Sequence, residues 1–168
     1  MRLFFAVAAI ALPAIGHADS SYLCHADEQV LFGCQAGSKM ISICASAKLT
    51  PGSGYVQYRF GTPSSIELKY PDEPQPPHGL FWASQATYSG GGETSIRFVN
   101  HDVKYMVFDG MVRTEFDGGP NSPKFSAGVS IRIKGQKDRT KVCTDDGGVR
   151  GDAYQSLDQE DFDYDLNK

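Results

Sequence analysis

Short runs of alternating apolar and polar residues are the feature that most constrains the fold of this chain. In residues 65–70, Ile66, Leu68 and Tyr70 occupy every second position, and charged residues separate them. Successive side chains of a strand point to opposite faces of a sheet, so this pattern predicts a half-buried strand. Residues 128–134 show the same alternation, whereas no run has the period of an amphipathic helix. The pattern therefore favours an all-β fold.

Turn signals divide the sequence into about ten predicted short strands. The runs are residues 29–35, 38–45, 55–60, 65–70, 80–88, 94–99, 103–108, 111–116, 128–134 and 140–144. Asp109-Gly110 between two runs predicts a type I′ hairpin turn, because both central positions of that turn need positive φ. Four prolines in residues 71–77 predict an extended loop that pairs with no strand. These features predict a single antiparallel barrel or a two-layer sandwich.

The first 18 residues have the three-part pattern of a secretory signal peptide. Arg2 precedes the apolar stretch 3–15, and Gly16-His17-Ala18 places small residues at a cleavage site before Asp19. The apolar stretch is shorter than the ~17–25 residues that a membrane-spanning helix needs. We therefore predict an exported protein that is soluble rather than membrane-spanning. The bacterial periplasm is the expected location, and full secretion is the alternative.

The four cysteines, Cys24, Cys34, Cys44 and Cys143, all follow the predicted signal peptide. An even number of cysteines in an oxidising compartment predicts two disulfides. A symmetric turn at residues 36–39 would leave Cys34 and Cys44 not directly opposite each other. On this basis we favour Cys24–Cys34 with Cys44–Cys143 among the three pairings. The cysteines lack the spacing of zinc ligands, so the sequence predicts no metal site and no cofactor.

The charge of the exported chain is acidic. Removal of Arg2 leaves 16 − 1 = 15 basic residues against 20 acidic residues, a net charge of 15 − 20 = −5. This balance argues against nucleic acid as a partner, because phosphate backbones require clustered cations. It favours a basic protein partner, since opposite charges accelerate association.

The end of the chain differs from the rest in composition. Five acidic residues crowd into positions 158–165, and such a run repels itself in water. We therefore predict a β domain over residues 19–147 and a poorly ordered acidic tail over residues 148–168. A short helix at residues 153–161 is compatible with the sequence.

No motif of a known catalytic type is present in the sequence. The exported chain has three histidines, His25, His78 and His101, each in a predicted loop or turn. Neither a nucleophile elbow nor a metalloprotease motif occurs. The sequence thus predicts a protein that is not an enzyme.

The strand with the only tryptophan and the glycines after it are the predicted binding surface. Trp82, Tyr88 and the run 90–92, with Gly91 at its centre, combine aromatic area with an adaptable backbone. Interface hot spots are often built in this way. The proline loop 71–78 is expected beside them. The alternative is that Trp82 and Tyr88 are ordinary packed aromatics, since both would lie on one face of a strand.

Two blocks of the sequence resemble a group of small exported bacterial proteins of uncharacterised function. The first block is Leu23-Cys24, Phe32-x-Cys34, Lys39 and Ser42-x-Cys44-x-Ser46. The second block is Tyr55-x-Gln57-Tyr58-Arg59-Phe60-Gly61 and Ile66-Glu67-Leu68-x-Tyr70-Pro71. The resemblance covers roughly residues 22–143 and implies export and disulfides, without an activity.

A second, fainter resemblance is to periplasmic inhibitors of c-type lysozyme. It rests on Tyr22-x-Cys24, Phe81-Trp82, Ala86-x-Tyr88 before a glycine-rich turn, and the late Cys143. It implies a small antiparallel β-barrel that blocks the lysozyme cleft with a loop containing serine and tyrosine. Ser84, Tyr88 and Ser89 are the positions that carry over. The chain is longer than those inhibitors and lacks their Ser-x-Ser-Gly-x-x-Tyr order.

Taken together, the sequence predicts a non-enzymatic periplasmic binding protein. The specific form that we expect is an inhibitor or immunity-type protein against a toxic or cell-wall-degrading enzyme, with a basic enzyme as its partner. The alternative is an envelope-associated module whose interior binds a small apolar ligand.

Overall fold

The computed structural model describes residues 22–113, 122–151 and 153–162, which form eleven strands and one short helix. The elements are β1 (Glu28–Ala36), β2 (Lys39–Ser46), β3 (Val56–Thr62), β4 (Ser65–Gln75), β5 (Phe81–Tyr88), β6 (Gly91–Asn100), β7 (Val103–Arg113), β8 (Pro123–Ile133), β9 (Arg139–Val142), β10 (Gly148–Val149), α1 (Ala153–Ser156) and β11 (Asp158–Gln159). The predicted signal peptide, residues 1–18, lies outside the described residues. Within them, no helix is long and apolar enough to cross a membrane.

The strands form two sheets. The first sheet has the order β10-β1-β2-β3-β4, and the second has the order β11-β5-β6-β7-β8-β9. Neighbouring strands run antiparallel except for β11, which lies parallel to β5. The predicted all-β fold is confirmed, and of the two predicted architectures the chain adopts the two-layer sandwich rather than the barrel.

Aromatic rings from both sheets fill the space between them. Phe98 lies at the centre, with its ring centroid 4.8 Å from Tyr58 and 4.8 Å from Tyr105, and 4.9 Å from Tyr70. Phe81 packs 5.5 Å from the same ring. Each of these five residues comes from a different strand and faces the core, so the inward-pointing positions of the strands form the inner faces of the two sheets. Burial of Tyr58 raises the pKa of its hydroxyl far above the usual range.

Asp109 and Gly110 do not form the predicted hairpin turn. They lie inside β7, where Asp109 is opposite Thr94 of β6 and Ala127 of β8. Strands on both sides hold this backbone extended, and the Asp109 carboxylate accepts a hydrogen bond from the Val149 N–H. Tertiary pairing thus overrides the local turn preference of Asp-Gly.

The proline-rich segment is also more regular than predicted. β4 continues through Gln75, which pairs with Val56 of β3 across an irregularity in the register. β4 is an edge strand, and an edge strand tolerates prolines because one row of its backbone donors needs no partner. At this irregularity, the side-chain amide of Gln57 donates hydrogen bonds to the backbone carbonyls of Pro71 and Asp72.

The predicted number of disulfides is confirmed, but the favoured pairing is wrong. The bonds are Cys24–Cys44 and Cys34–Cys143. Extended β1 carries Cys34 away from Cys24, while the start of β1 lies beside the end of β2, where Cys44 is opposite Val30. Cys34–Cys143 joins β1 to the end of β9 and so connects the two sheets. In the chain-entropy model, a loop this long contributes about 4–5 kcal/mol.

Residues 148–151 and 153–160, which we call the strap, correct the prediction of a solvated tail. β10 pairs with β1 and β11 pairs with β5, so the strap covers one edge of each sheet. Ala153 of α1 and Leu157 are buried in the core between these contacts. Covering strand edges prevents pairing with other chains. The predicted tail residues 163–168 lie outside the described residues.

Candidate functional site

On the outer face of the second sheet, Trp82 stacks against the side chain of Arg97 from the same chain. Arg97 is directly opposite in β6, and its guanidinium lies 4.2 Å from the centroid of the tryptophan ring. Glu160 of the strap accepts hydrogen bonds from Arg97 Nε, at 2.7 Å to Oε1, and from Arg97 Nη2, at 2.5 Å to Oε2. Trp82 is thus half-buried beneath an ion pair and serves to dock the strap.

Ser84 is also enclosed by the second sheet. Its hydroxyl lies 2.8 Å from the hydroxyl of Ser95, and both side chains are buried. The proline loop ends at His78, next to the start of β5, whereas Tyr88 lies at the end of that strand. The structure therefore separates Trp82, Ser84 and the proline loop from the hairpin tip.

Tyr88, Ser89 and Gly91 remain accessible at the tip of the β5–β6 hairpin. Tyr88 pairs with Gly91, and Ser89 lies exposed in the turn between them. A Cβ atom on Gly91 would lie only 2.9 Å from the Tyr88 ring, so the ring lies across the space that this glycine leaves. The turn itself needs Gly90, whose φ is 85°.

Large apolar side chains are exposed at this end of the second sheet, which we call the distal end. Val112 of β7 is aligned with Gly91 and Tyr88, and it is 41% exposed. Phe125 of β8 is opposite Met111 and is 70% exposed. A contiguous exposed apolar patch marks an interaction site, whereas a single exposed leucine or valine is ordinary.

A cleft of about 450 Å³ opens beside Phe125, and we call it the Asp109 cleft. Ala127 and Val142 contribute apolar wall, and Val142 is 55% exposed. Three carboxylates line the same space, from Asp109, Asp145 and Asp146. The cleft thus combines acidic groups with exposed apolar surface.

The carboxylates of the Asp109 cleft are held by backbone and side-chain donors. Asp109 Oδ2 accepts the Val149 N–H at 3.1 Å, and Asp145 Oδ1 accepts the Gln35 N–H at 2.8 Å. Burial raises the pKa of Asp109 above its ordinary value, and the Val149 hydrogen bond opposes this. Burial, together with Asp145 and Asp146, raises the pKa of the Tyr22 hydroxyl, which points at Asp145.

This arrangement suits a lysine or arginine side chain. The aliphatic stem of such a side chain can lie on Phe125 and Val142 while its cationic head reaches the carboxylates. Charge-assisted hydrogen bonds of this type are stronger than neutral ones. The described residues that line the cleft include no histidine.

A second cleft of about 720 Å³ lies on the outer face of the first sheet. Its floor is a buried ion pair in which Arg59 donates to both oxygens of Glu28, at 2.6 and 2.7 Å. Arg59 also donates to the Leu23 carbonyl and to Gln57. With the Cys24–Cys44 bond, these contacts clamp the segment before β1 across the sheet. The polar groups of this floor are therefore used to hold the fold together.

The carboxylate of Glu28 is ionised at neutral pH despite its burial. Burial opposes ionisation, but hydrogen bonds from Arg59, the His25 N–H and the Tyr55 hydroxyl outweigh it and lower the pKa of Glu28. The floor of the second cleft is thus an ion pair that is almost completely buried.

The sequence did not single out the residues of the Asp109 cleft. The sequence predicts a turn at Asp109 and no strand at Phe125, Asp145 or Asp146. One available signal was the length of the mostly apolar segment 103–112, which a single 11-residue strand explains without a turn.

Comparison of this chain with protein-family models, with curated proteins and with solved structures found no match. Its function is therefore inferred from the geometry of the clefts and surfaces described above.

Proposed function

We propose that this protein is a non-enzymatic binding protein that takes a basic protein partner at the Asp109 cleft and the distal end. The observation that carries the proposal is the position of Phe125, 70% exposed and lining the same cleft as three carboxylates. An exposed aromatic ring beside acidic groups is complementary to a partner surface rich in lysine and arginine, whose side chains have an apolar stem and a cationic end.

Two kinds of contact at this site would contribute to binding. Burial of an aromatic anchor such as Phe125 typically contributes about 2 kcal/mol or more to a protein interface. A hydrogen bond to a charged group contributes about 1.5–3 kcal/mol. The net charge of −5 expected for the exported chain adds long-range attraction for a basic partner.

The inhibitor or immunity-type form of this function draws on the resemblance to inhibitors of c-type lysozyme. Of the positions that this resemblance carries over, Tyr88 and Ser89 lie at the hairpin tip of the distal end, whereas Ser84 is buried. Phe125 lies at the same end of the sheet as this tip but on the opposite face, so a partner that contacts both would wrap around that end. The partner expected is thus a basic, cell-wall-degrading or toxic enzyme.

The compartment follows in two steps. Two disulfides place the folded chain in an oxidising, non-cytoplasmic compartment. Within that class we propose the bacterial periplasm, with full secretion as the alternative. Detection of the processed chain in a periplasmic extract or in the culture medium distinguishes the two.

The alternative function, an interior site for a small apolar ligand, has less support. Stacked rings of Phe98, Tyr105 and Tyr70 occupy the space between the sheets where such a ligand would bind. The two large clefts described above lie on the surface instead.

The proposal is tested by titrating purified basic hydrolases, a c-type lysozyme first, with the protein and recording heat of binding and enzyme inhibition. Asp109→Asn removes one charge of the cleft and is expected to weaken binding by about tenfold or more. Asp72→Asn, an exposed carboxylate of the second cleft, is the matched control and is expected to change affinity by less than about twofold. Absence of binding across the hydrolases, or equal effects of the two variants, contradicts the proposal.

A further inference from the structure

Basic residues are concentrated at the end of the second sheet opposite the distal end. This turn end consists of residues 100–104 around the β6–β7 turn and residues 132–139 around the β8–β9 turn. Its cations are Lys104, Arg132, Lys134, Lys137 and Arg139. Its acidic residues are Asp102 and Asp138. A local excess of positive charge thus stands on a chain that is acidic overall.

The pairing of strands brings two of these cations face to face. Lys104 of β7 is directly opposite Arg132 of β8, and like charges in such a position destabilise a sheet. Asp138 accepts hydrogen bonds from Arg132, with contacts of 2.8 Å to Nε and 2.7 Å to Nη2. Lys104 and Lys137 are exposed at the surface. Asp138 thus compensates the charge of Arg132, whereas Lys104 and Lys137 are accessible to an anionic partner.

The turn end is electrostatically separate from the Asp109 cleft. Lys104 and Asp109 are five residues apart along β7, which corresponds to about 17 Å. The Debye length at physiological ionic strength is about 8 Å, so the fields of the two ends are screened from each other. The charges of the turn end and of the cleft therefore act separately on a partner.

We propose that the turn end binds the anionic surface of a phospholipid membrane. A flat surface meets only the end of the sheet, so the acidic Asp109 cleft stays more than a Debye length away. The large exposed apolar side chains of the described residues lie elsewhere, at Ile66, Tyr88, Val112, Phe125 and Val142. The contact is thus electrostatic and reversible, without insertion into the acyl chains.

A membrane fits this end better than a nucleic acid does. Single-stranded nucleic acids are bound through aromatic side chains on which bases stack, and the described turn end exposes no large aromatic ring. Duplex DNA is read by an element that enters a groove, whereas this end is formed by two turns and the edge strand β9. Bound in this way, the protein would present the distal end and the Asp109 cleft away from the membrane.

The inference is tested by sedimentation of the full exported chain with lipid vesicles. Binding is expected to vesicles of phosphatidylcholine mixed with phosphatidylglycerol, and not to vesicles of phosphatidylcholine alone. Raising the ionic strength to about 1 M, where the Debye length is about 3 Å, should release the protein.

Charge reversal locates the surface. The double variant Lys104→Glu/Lys137→Glu is expected to lower the vesicle-bound fraction at least about tenfold, because each basic residue near an anionic surface contributes separately. Lys48→Glu/Lys124→Glu changes the same charge at two exposed positions elsewhere and should retain most of the binding. Thermal unfolding of both variants shows whether they fold.

Four results overturn the inference. They are equal binding to both kinds of vesicle, binding that persists at high salt, equal losses in the two double variants, and tighter binding of a DNA duplex than of vesicles through the same lysines. Asp109→Asn should leave vesicle binding unchanged, so failure of this inference is distinguishable from failure of the proposed function.

Discussion

Asp109 Oδ2 accepts the backbone N–H of Val149 at 3.1 Å, so a carboxylate that lines the candidate cleft also holds the strap. The contact joins β7 of the second sheet to β10, which is paired with the first sheet. Asp109 is thus both a structural residue and a charge available to a partner. Substitution of Asp109 should therefore affect the stability of the fold and the binding of a partner in different ways.

Asp109→Asn should stabilise the protein near neutral pH. Burial raises the pKa of Asp109 above its ordinary value of 3.8, so ionisation of this group opposes folding as pH rises through the raised value. Asparagine is neutral at every pH and can still accept the Val149 N–H. Urea unfolding should show a more stable variant near pH 7 and a smaller difference near pH 3. A variant that is less stable near pH 7 would show that the charge strengthens the strap contact.

Arg59→Ala should strongly destabilise the first sheet. The substitution leaves the Glu28 carboxylate buried without its partner, which typically costs about 3–5 kcal/mol. Lys39→Ala is the matched control, because it breaks an ion pair with Glu67 in which both side chains are substantially exposed, 38% and 42%. Exposed pairs contribute about 0–1 kcal/mol. Similar free energies of unfolding for the two variants would contradict the structural role of the Arg59–Glu28 pair.

The contribution of Glu28 should disappear in acid. Hydrogen bonds outweigh burial and lower its pKa below the ordinary value of 4.5 in the folded chain. The stabilisation is therefore fully present above the unfolded pKa and is lost as pH falls through the folded one. The difference in unfolding free energy between the native chain and Glu28→Gln should be constant above about pH 5 and decrease below it. A difference that stays unchanged down to about pH 3 is incompatible with this explanation.

Leu157→Ala should destabilise the whole sandwich through the strap. Leu157 is 2% exposed and belongs to the core cluster, so its truncation is expected to cost about 2–5 kcal/mol. Gln155→Ala, at an exposed position of α1, should change stability by no more than about 0.5 kcal/mol. Thermal or urea unfolding measures both. If the two variants unfold alike, the strap does not contribute to the core.

The sequence predicted the features that depend on residue alternation. Alternating apolar residues predict which face of a strand points inward, such as Leu68 in β4 and Val129 and Ile131 in β8. The number of such alternating runs predicts the all-β class. What it could not predict depends on contacts between distant segments. The register of β1 on β2 shifts between Val30 and Phe32, and no local signal marks that irregularity.

The errors at the strap and the cleft have a common physical cause. Val149, Ala153 and Leu157 are spaced four residues apart and face the core, but the acidic residues around them dominate the composition of that segment. Asp109-Gly110 has strong turn chemistry, yet pairing on both sides keeps β7 extended. In both regions tertiary contacts outweigh the local preference that the sequence displays.

The affinity of Phe125→Ala for a basic hydrolase that binds the native chain tests the proposed function most directly. Removal of this 70% exposed ring should weaken the complex by about 30-fold or more, as expected for an aromatic anchor worth about 2 kcal/mol, without loss of thermal stability. Ile66→Ala, at an apolar side chain 38% exposed on the first sheet, is the matched control and should bind within about twofold of the native chain. An unchanged affinity in Phe125→Ala, or the same loss in both variants, would contradict the assignment of the Asp109 cleft as the partner site.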